Sequence, residues 1–210
     1  MPITFVDSLK SIRSWDREYA DRGRLWGGGI SGMPDLCAGS VVLELGCGDG
    51  KTLSCMPEAW RAVALDASLN ALHLSLHLCP NARLALADAS RLPFRECVFD
   101  AVFAFHVTGH LLISGRLSLA AEASRVLLPG GRLFFREFAG DDLRAGRGQE
   151  IEPGTFARKS GIVTHFFQSG EAEELFSNLQ PISVEARRWK MRVKGRDLMR
   201  CEVQAVFEKR

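Results

Sequence analysis

The sequence predicts an α/β fold: a doubly wound, mostly parallel sheet with an antiparallel C-terminal hairpin. Three observations predict it. Between residues 40 and 138, short apolar runs alternate with helical patterns, the signature of strands joined by crossover helices. The first run, Val41 to Leu45, ends in Gly46-Cys47-Gly48-Asp49-Gly50, a turn that glycine's freedom allows after a strand shielded on both faces. After residue 180, two long runs flank Lys194-Gly195-Arg196-Asp197, which reads as an antiparallel hairpin.

A chain of 210 residues with 25% charged residues is expected to form a single globular domain over 1–210. It divides into an N-terminal helix and cap (1–39), a core (40–138), and a substrate-side segment with a closing hairpin (139–210). No apolar run approaches the ~20 residues of a membrane span. The mixed first ten residues carry Asp7 and do not read as an export signal. Six cysteines without a Cys-x-x-Cys pair are expected to be reduced thiols, so the expectation is a cytoplasmic protein with no membrane or metal site. Charge is uneven. Residues 187–210 hold nine Lys/Arg against three acids, in a chain whose net charge is only +2. That asymmetry points to an anionic partner near the C-terminus.

Residues 7–20 read as an amphipathic helix capped by Asp7 or Ser8, with Leu9, Ile12, Trp15 and Tyr19 near one face. Leu25-Trp26-Gly27-Gly28-Gly29 has two readings, a linker with a packed Trp26 or a flap over a ligand. After the glycine turn, Thr52 is placed to open a short helix, 51–56, ahead of Pro57. A second strand, 61–66, ends in Asp66, and Ser68 caps a Leu-rich helix, 68–79. A third strand, 83–87, leads to Asp88. A fourth, 101–105, precedes His106-Val-Thr-Gly-His110. A helix is expected from Ser114 to about Leu128, and Pro129-Gly130-Gly131 turns into a fifth strand, 132–138. Residues 139–162 read as an irregular functional segment. Ser169 is expected to cap a helix, 170–178, followed by strands at 183–193 and 200–208. In the first of these, Trp189, Met191 and Val193 alternate with Arg188, Lys190 and Arg192, so one face is expected to be buried and the other a row of cations.

In a sheet of this kind ligands sit beyond the C-terminal strand ends, with free helix N–H groups and glycine backbone against them. A nucleoside cofactor fits the Gly46–Gly50 turn, and the acids narrow the choice. Asp66, twenty residues after Gly46, can accept from both ribose hydroxyls; Asp88 can accept from an adenine amino group. Lys51 follows Gly50, so Gly-x-Gly-x-x-Gly is not completed. No Tyr-x-x-x-Lys pair for hydride chemistry is present, and Tyr19 is the chain's one tyrosine. Glu44 and Asp49 suit a cationic methionine end and would repel a pyrophosphate. S-adenosylmethionine is the cofactor these features favour over NAD. The 40–138 core is therefore expected to be the cofactor-binding part.

Glu44-Leu-Gly-Cys-Gly-Asp-Gly50, Asp66, Asp88-Ala…Leu92-Pro-Phe94, Phe99-Asp-Ala-Val-Phe103 and Leu128-Pro-Gly-Gly131 resemble, in order, the motifs of class I S-adenosylmethionine-dependent methyltransferases. The resemblance implies a Rossmann-like sheet of seven strands, the last pair antiparallel. Trp15-Asp16-Arg-Glu-Tyr19 resembles a helix that covers the methionine end in many relatives. The candidate cofactor-binding set is Trp15, Tyr19, Glu44, Gly46, Cys47, Gly48, Gly50, Asp66, Ala67, Asp88, Ala89 and Phe105. Glu44 has a second reading, pairing with Lys51, and Trp15 and Tyr19 a second one as core residues. His73 and His77 share a helix face and read as an exposed polar stripe.

His106 and His110 are candidate catalytic residues, as base or substrate contact, or structural histidines in the loop. Gly154-Thr-Phe-Ala-Arg158, His165-Phe-Phe167, Glu171-Ala-Glu-Glu-Leu-Phe176, Arg187-Arg188 and Val193-Lys-Gly-Arg196 resemble the tail of the tRNA 3-methylcytidine methyltransferases. That resemblance implies N-methylation of a tRNA base, with Trp26, Arg158, Arg188, Lys190 and Arg192 as candidate substrate contacts. The chain departs from that family after the fourth strand, where His106-Val-Thr-Gly-His110 replaces its usual motif. A small-molecule or protein acceptor, or a non-catalytic cofactor-binding module, are the alternatives.

Overall fold

The structure is a computed structural model that describes residues 5–25 and 32–210. Trp26, the expected Asp7 or Ser8 cap and the Leu9 side chain lie outside what is described. Helix α1 spans Phe5–Arg22. Strand β1 (Val41–Leu45) is followed by a single 3-10 turn, Leu53–Cys55, where a short helix was expected. Then come β2 (Arg61–Asp66), α2 (Leu69–Leu78), β3 (Arg83–Leu86), β4 (Phe99–Phe105), α3 (Ile113–Val126) and β5 (Leu127–Phe138). Three short strands follow, β6 (Gln149–Glu152), β7 (Thr155–Ala157) and β8 (Val163–His165), then α4 (Glu171–Leu175) and the hairpin β9 (Gln180–Val193) and β10 (Arg196–Glu208).

The seven-stranded sheet runs β3-β2-β1-β4-β5-β10-β9. The first five strands are mutually parallel, and β10 lies antiparallel between β5 and β9. Strand order reverses between β1 and β4, and a crevice opens there beyond the strand ends. One face packs Leu43, Leu45 and Leu65 under Leu119 and Ala123 of α3 and Phe176 beside α4, and the same cluster extends to Phe207 of β10. On the other face Val42, Phe103, Phe105 and Phe134 pack with Trp60, and Leu72 of α2 packs with Ala64.

Several boundaries differ from the sequence reading for local reasons. Ser68 caps α2 as expected, its Oγ accepting from the Ala71 amide at 3.0 Å. Helix α3 starts at Ile113, and Ser114 is not its cap; Glu152 of β6 instead accepts from the Ile113 amide at 2.9 Å. Ser169 does not cap α4 either: Gly170 holds that place in a left-handed conformation, and Glu171 accepts from the Gln168 amide at 2.9 Å. Residues 139–162 are not simply irregular, because β6 and β7 lie within them and form an antiparallel sheet with β8 just beyond. Strands of three or four residues are too short for alternation to show in sequence.

Candidate active site

The glycine turn after β1 is built by close contact. Gly48 has φ +54°, and a Cβ there would stand 2.5 Å from the Tyr19 hydroxyl, so only glycine lets α1 close on the turn. Gly50 faces away from the ligand side: a Cβ would lie 2.8 Å from Ser75 Oγ and 3.1 Å from Ser75 Cα on α2. Gly50 therefore allows the close approach of α2 to the turn. Asp66 at the end of β2 accepts the Gly48 amide at 2.9 Å and the Ser68 amide at 2.8 Å, tying turn to strand.

Helix α1 is fixed across the site by Asp16. Its carboxylate accepts from Ser68 Oγ at 2.6 Å and from the Asn70 amide at 3.1 Å. The Ser68 hydrogen bond holds Asp16 below the usual carboxylate range. With α1 so held, Trp15 and Tyr19 line the cavity. Nothing local in the sequence marks Asp16 as the residue that places them.

A cavity of about 1490 Å³ runs from this turn across the ends of β4, β5 and β10. Pockets for single small ligands run to about 1,000 Å³, so this one has room for two. Trp15, Tyr19, Glu44, Gly46, Cys47, Gly48, Asp66, Ala67, Asp88, Ala89 and Phe105 all line it. Glu44 is 2% exposed, and its Oε2 has no hydrogen-bond partner among the described residues. Burial, with Asp66 and Asp49 nearby, pushes its carboxyl up to about 8, against a hydrogen bond from Thr52. The Thr52 hydroxyl thus serves Glu44 rather than capping a helix, and no ion pair joins Glu44 to Lys51 among the described residues. An orphaned buried carboxylate oxygen is costly unless a ligand donor meets it. Asp88, two residues past β3, accepts from the Ser90 amide and hydroxyl at 2.8 Å each. A nucleoside bearing an ammonium group fits this donor and acceptor set, with Glu44 for the ammonium, Asp66 for the ribose and Asp88 for the base.

The far half of the cavity has different chemistry. His106 follows β4 with φ +56°, an uncommon conformation for a side-chain-bearing residue. Its ring stacks on Phe138 with centroids 4.4 Å apart. Nε2 stands 3.4 Å from Glu202 Oε2, and Nδ1 is buried without a hydrogen-bond partner among the described residues, 3.9 Å from Glu137 Oε2. Glu137 is buried behind the site, where desolvation pushes it up to about 8 and the Gly109 amide donates to it at 2.8 Å. His110 also lines the cavity, but its Nδ1 donates to the Val163 carbonyl at 2.7 Å and its ring meets Trp15 edge-on at 4.6 Å. Burial drives its pKa down to about 4, so the neutral ring pins β8 to the loop after β4 and to α1.

The substrate-side cations are redistributed. Arg158 lines the cavity. Arg188, Lys190 and Arg192 do not; Arg188 pairs with Asp141 at 2.9 Å and Arg192 with Asp197 at 3.1 Å. The alternating partners Arg187 and Trp189 line the cavity, with Arg200 and Glu202 opposite them on β10. The face read as buried is thus the cavity wall, and Trp189 is half-buried there. The phase of Arg187 with Trp189 is visible in the sequence and marks a mixed face. Arg136, Arg144, Glu137 and Glu202 carry no comparable sequence signal, since their roles depend on β5 and β10 being neighbours. His73 and His77 are exposed, and no helix among the described residues is long and apolar enough to cross a membrane.

Residues 43–135 match the profile of a methyltransferase domain family. The chain is 30% identical over 147 residues to 27-O-demethylrifamycin SV methyltransferase of Amycolatopsis mediterranei, covering 61% of this chain and 52% of that one. It is 26% identical over 197 residues to tRNA N(3)-cytidine methyltransferase METTL2 of Gallus gallus, covering 84% and 53%. The chain thus spans about half the length of these curated relatives. A solved S-adenosylmethionine-dependent methyltransferase structure from Methanosarcina mazei superposes with TM-score 0.69 at 20% identity, over 83% of this chain and 94% of that one. With the sheet order, the Gly48 contact and the Glu44, Asp66 and Asp88 carboxylates already in place, residues 43–135 are similar to a methyltransferase domain family, and the chain has the fold of solved S-adenosylmethionine-dependent methyltransferase structures.

Proposed function

We propose that the chain is an S-adenosylmethionine-dependent methyltransferase whose acceptor occupies the cavity half bounded by β5, β9, β10 and the β6–β8 sheet. The observation that carries this reading is the buried, unpartnered Glu44 Oε2 in a wall that also presents Asp66 and Asp88. When bound, S-adenosylmethionine supplies a sulfonium methyl that an acceptor atom attacks in line.

The residues of this chain contribute orientation and proton handling. Trp15 and Tyr19 of α1 close one side and the β6–β8 sheet another, which holds the acceptor and keeps water from the reacting atoms. His106, in the cavity wall, is the residue proposed to take a proton from an acceptor that is protonated in its resting state. Glu202 stands 3.4 Å from its Nε2 and holds the ring. His110 is proposed to position the loop and the β6–β8 sheet.

A second, finer reading is N-methylation of a tRNA base. The alignment over 84% of the chain with the tRNA N(3)-cytidine enzyme supports it. The outer row Arg188, Lys190 and Arg192 would then meet phosphates from the sheet face opposite the cavity.

Calorimetry with S-adenosylhomocysteine is expected to give micromolar binding, and no binding at millimolar ligand would remove the methyltransferase reading. Incubation with methyl-labelled cofactor and either total tRNA or a metabolite extract separates the acceptors. Label entering only small molecules rules out the tRNA reading.

A further inference from the structure

The two halves of the cavity differ in their ionisable groups. Glu44, Asp49, Asp66 and Asp88 surround the glycine turn, whereas Arg136, Arg144, Arg187 and Arg200 reach the other half. That second group is arranged around two aromatic planes. Arg144 Cζ lies 3.6 Å above Phe138, and Arg200 Cζ lies 4.9 Å from the Phe138 centroid and 5.4 Å from that of Trp189. Arg187 Cζ sits 5.8 Å from the Trp189 ring.

Counter-charge there is short. Asp142, fully buried, serves both Arg200 at 2.6 Å and Arg144 at 3.1 Å. Glu202 is committed to His106 and to Gln204. Arg144 Nη2 is shielded from solvent with no hydrogen-bond partner among the described residues. Burial and the neighbouring Arg200 both pull the Arg144 pKa down, the mark of a guanidinium whose charge is under-compensated. An unpaired buried donor beside stacked aromatic rings is matched by a ligand that is both anionic and flat.

We infer that the acceptor is a small planar acid, an aromatic or heteroaromatic ring bearing a carboxylate or phosphate group. Its ring lies against Trp189, and its anionic group is taken by Arg144 Nη2 with Arg187 and Arg200. Calling this ligand the acceptor rests on the methyltransferase reading; the anion site itself does not. Size favours a compact acid over a polynucleotide. The guanidinium groups converge inside the cavity, and the row that could follow a phosphate backbone, Arg188, Lys190 and Arg192, stands on the opposite sheet face.

The test is calorimetry on the full chain saturated with S-adenosylhomocysteine. Probes are quinoline-2-carboxylate against quinoline-2-carboxamide, 1-naphthyl phosphate against 1-naphthol, and a single-stranded RNA of mixed sequence. Each acid is expected to bind about ten-fold or more tightly than its neutral counterpart, since one charge-assisted hydrogen bond is worth roughly that factor. The tighter of the two acid arms identifies carboxylate or phosphate as the anion. Arg144→Gln and Arg187→Gln are each expected to reduce the preference to about three-fold or less. Retained S-adenosylhomocysteine binding shows that those variants fold. Equal binding of acid and neutral probe, no binding of either acid at millimolar concentration, or a preference unchanged in both variants overturns the inference. So does RNA binding tighter than either acid and abolished by Arg188→Gln/Lys190→Gln/Arg192→Gln. If S-adenosylhomocysteine itself does not bind, the methyltransferase reading fails, and the same acid and neutral pairs on the free protein still decide the anion site.

Discussion

Glu44 shows how one buried atom couples cofactor to pH. In the free protein its carboxyl is pushed up to about 8 by burial, so at neutral pH it is mostly protonated. An ammonium brought beside it favours the ionised form and expels the proton. Affinity for S-adenosylhomocysteine is therefore expected to rise from pH 6 to 8 and then level off, with proton release visible in buffers of different ionisation enthalpy. Glu44→Gln should flatten the profile and weaken binding about ten-fold at pH 8. A slope that persists in the variant would assign it to another group. Stability has the opposite sign. Glu44 and Glu137 both have raised pKa values in the folded chain, so their protonated forms stabilise the fold fully below pH 4.5. That contribution is lost as pH rises toward 8, and the melting temperature of the free protein should fall across this window. The sequence exposed Glu44, since an acid beside a glycine turn is a local pattern. Glu137 and Glu202 reach His106 from β5 and β10, and nothing local joins residues 31 and 96 positions away.

At the scale of elements, polar contacts tie the β6–β8 sheet to α3 and α4. Glu152 accepts from the Ile113 amide and stands 3.6 Å from the Arg116 guanidinium, which is itself 3% exposed. Arg116 also donates to the Leu111 carbonyl at 2.8 Å. His165 bridges Thr155 Oγ1 at 2.8 Å and Glu171 at 2.6 Å, tying β7 and β8 to α4. Glu152→Gln removes the charge that faces a buried guanidinium and weakens the α3 cap, together about 1–3 kcal/mol. The expected result is faster hydrogen exchange across 149–165 with a smaller change in β1 and β4. Uniform loss across the molecule would mean that the small sheet is integral to the core. This element was the least legible from sequence, because its strands are set by distant side chains and not by their own pattern. The parallel strands were legible because each is rich in apolar residues and ends near a polar or glycine stop. The hairpin was legible as two long runs about a turn, but its register, with Val193 opposite Arg196, and the face that meets the cavity were not.

For the molecule as a whole, the question is whether the cofactor half and the acceptor half fold as one body. The main core cluster answers structurally: it runs without a break from Leu65 of β2 through Leu43 and Phe135 to Val203, Ala205 and Phe207 of β10. Phe207 is fully buried, and β10 pairs on both sides, with β5 and with β9. Opening β10 would therefore expose the centre of the sheet. In such a body a ligand bound at one end stabilises the other by mass action alone. At about 100 times its Kd, S-adenosylhomocysteine should add ~2.7 kcal/mol to global stability. Exchange of the Val203, Ala205 and Phe207 amides is then expected to slow about 100-fold, as much as that of Leu43 and Leu65, although the ligand touches none of the three. If slowing were confined to β1, β2 and β4, the hairpin would be a separately opening unit. The cavity's cationic half would then be free to reshape around the acceptor while the cofactor half stayed closed. Equal slowing instead means that Arg187 and Arg200 are held in place before any acceptor arrives, which is the preorganisation that recognition of a small rigid anion requires.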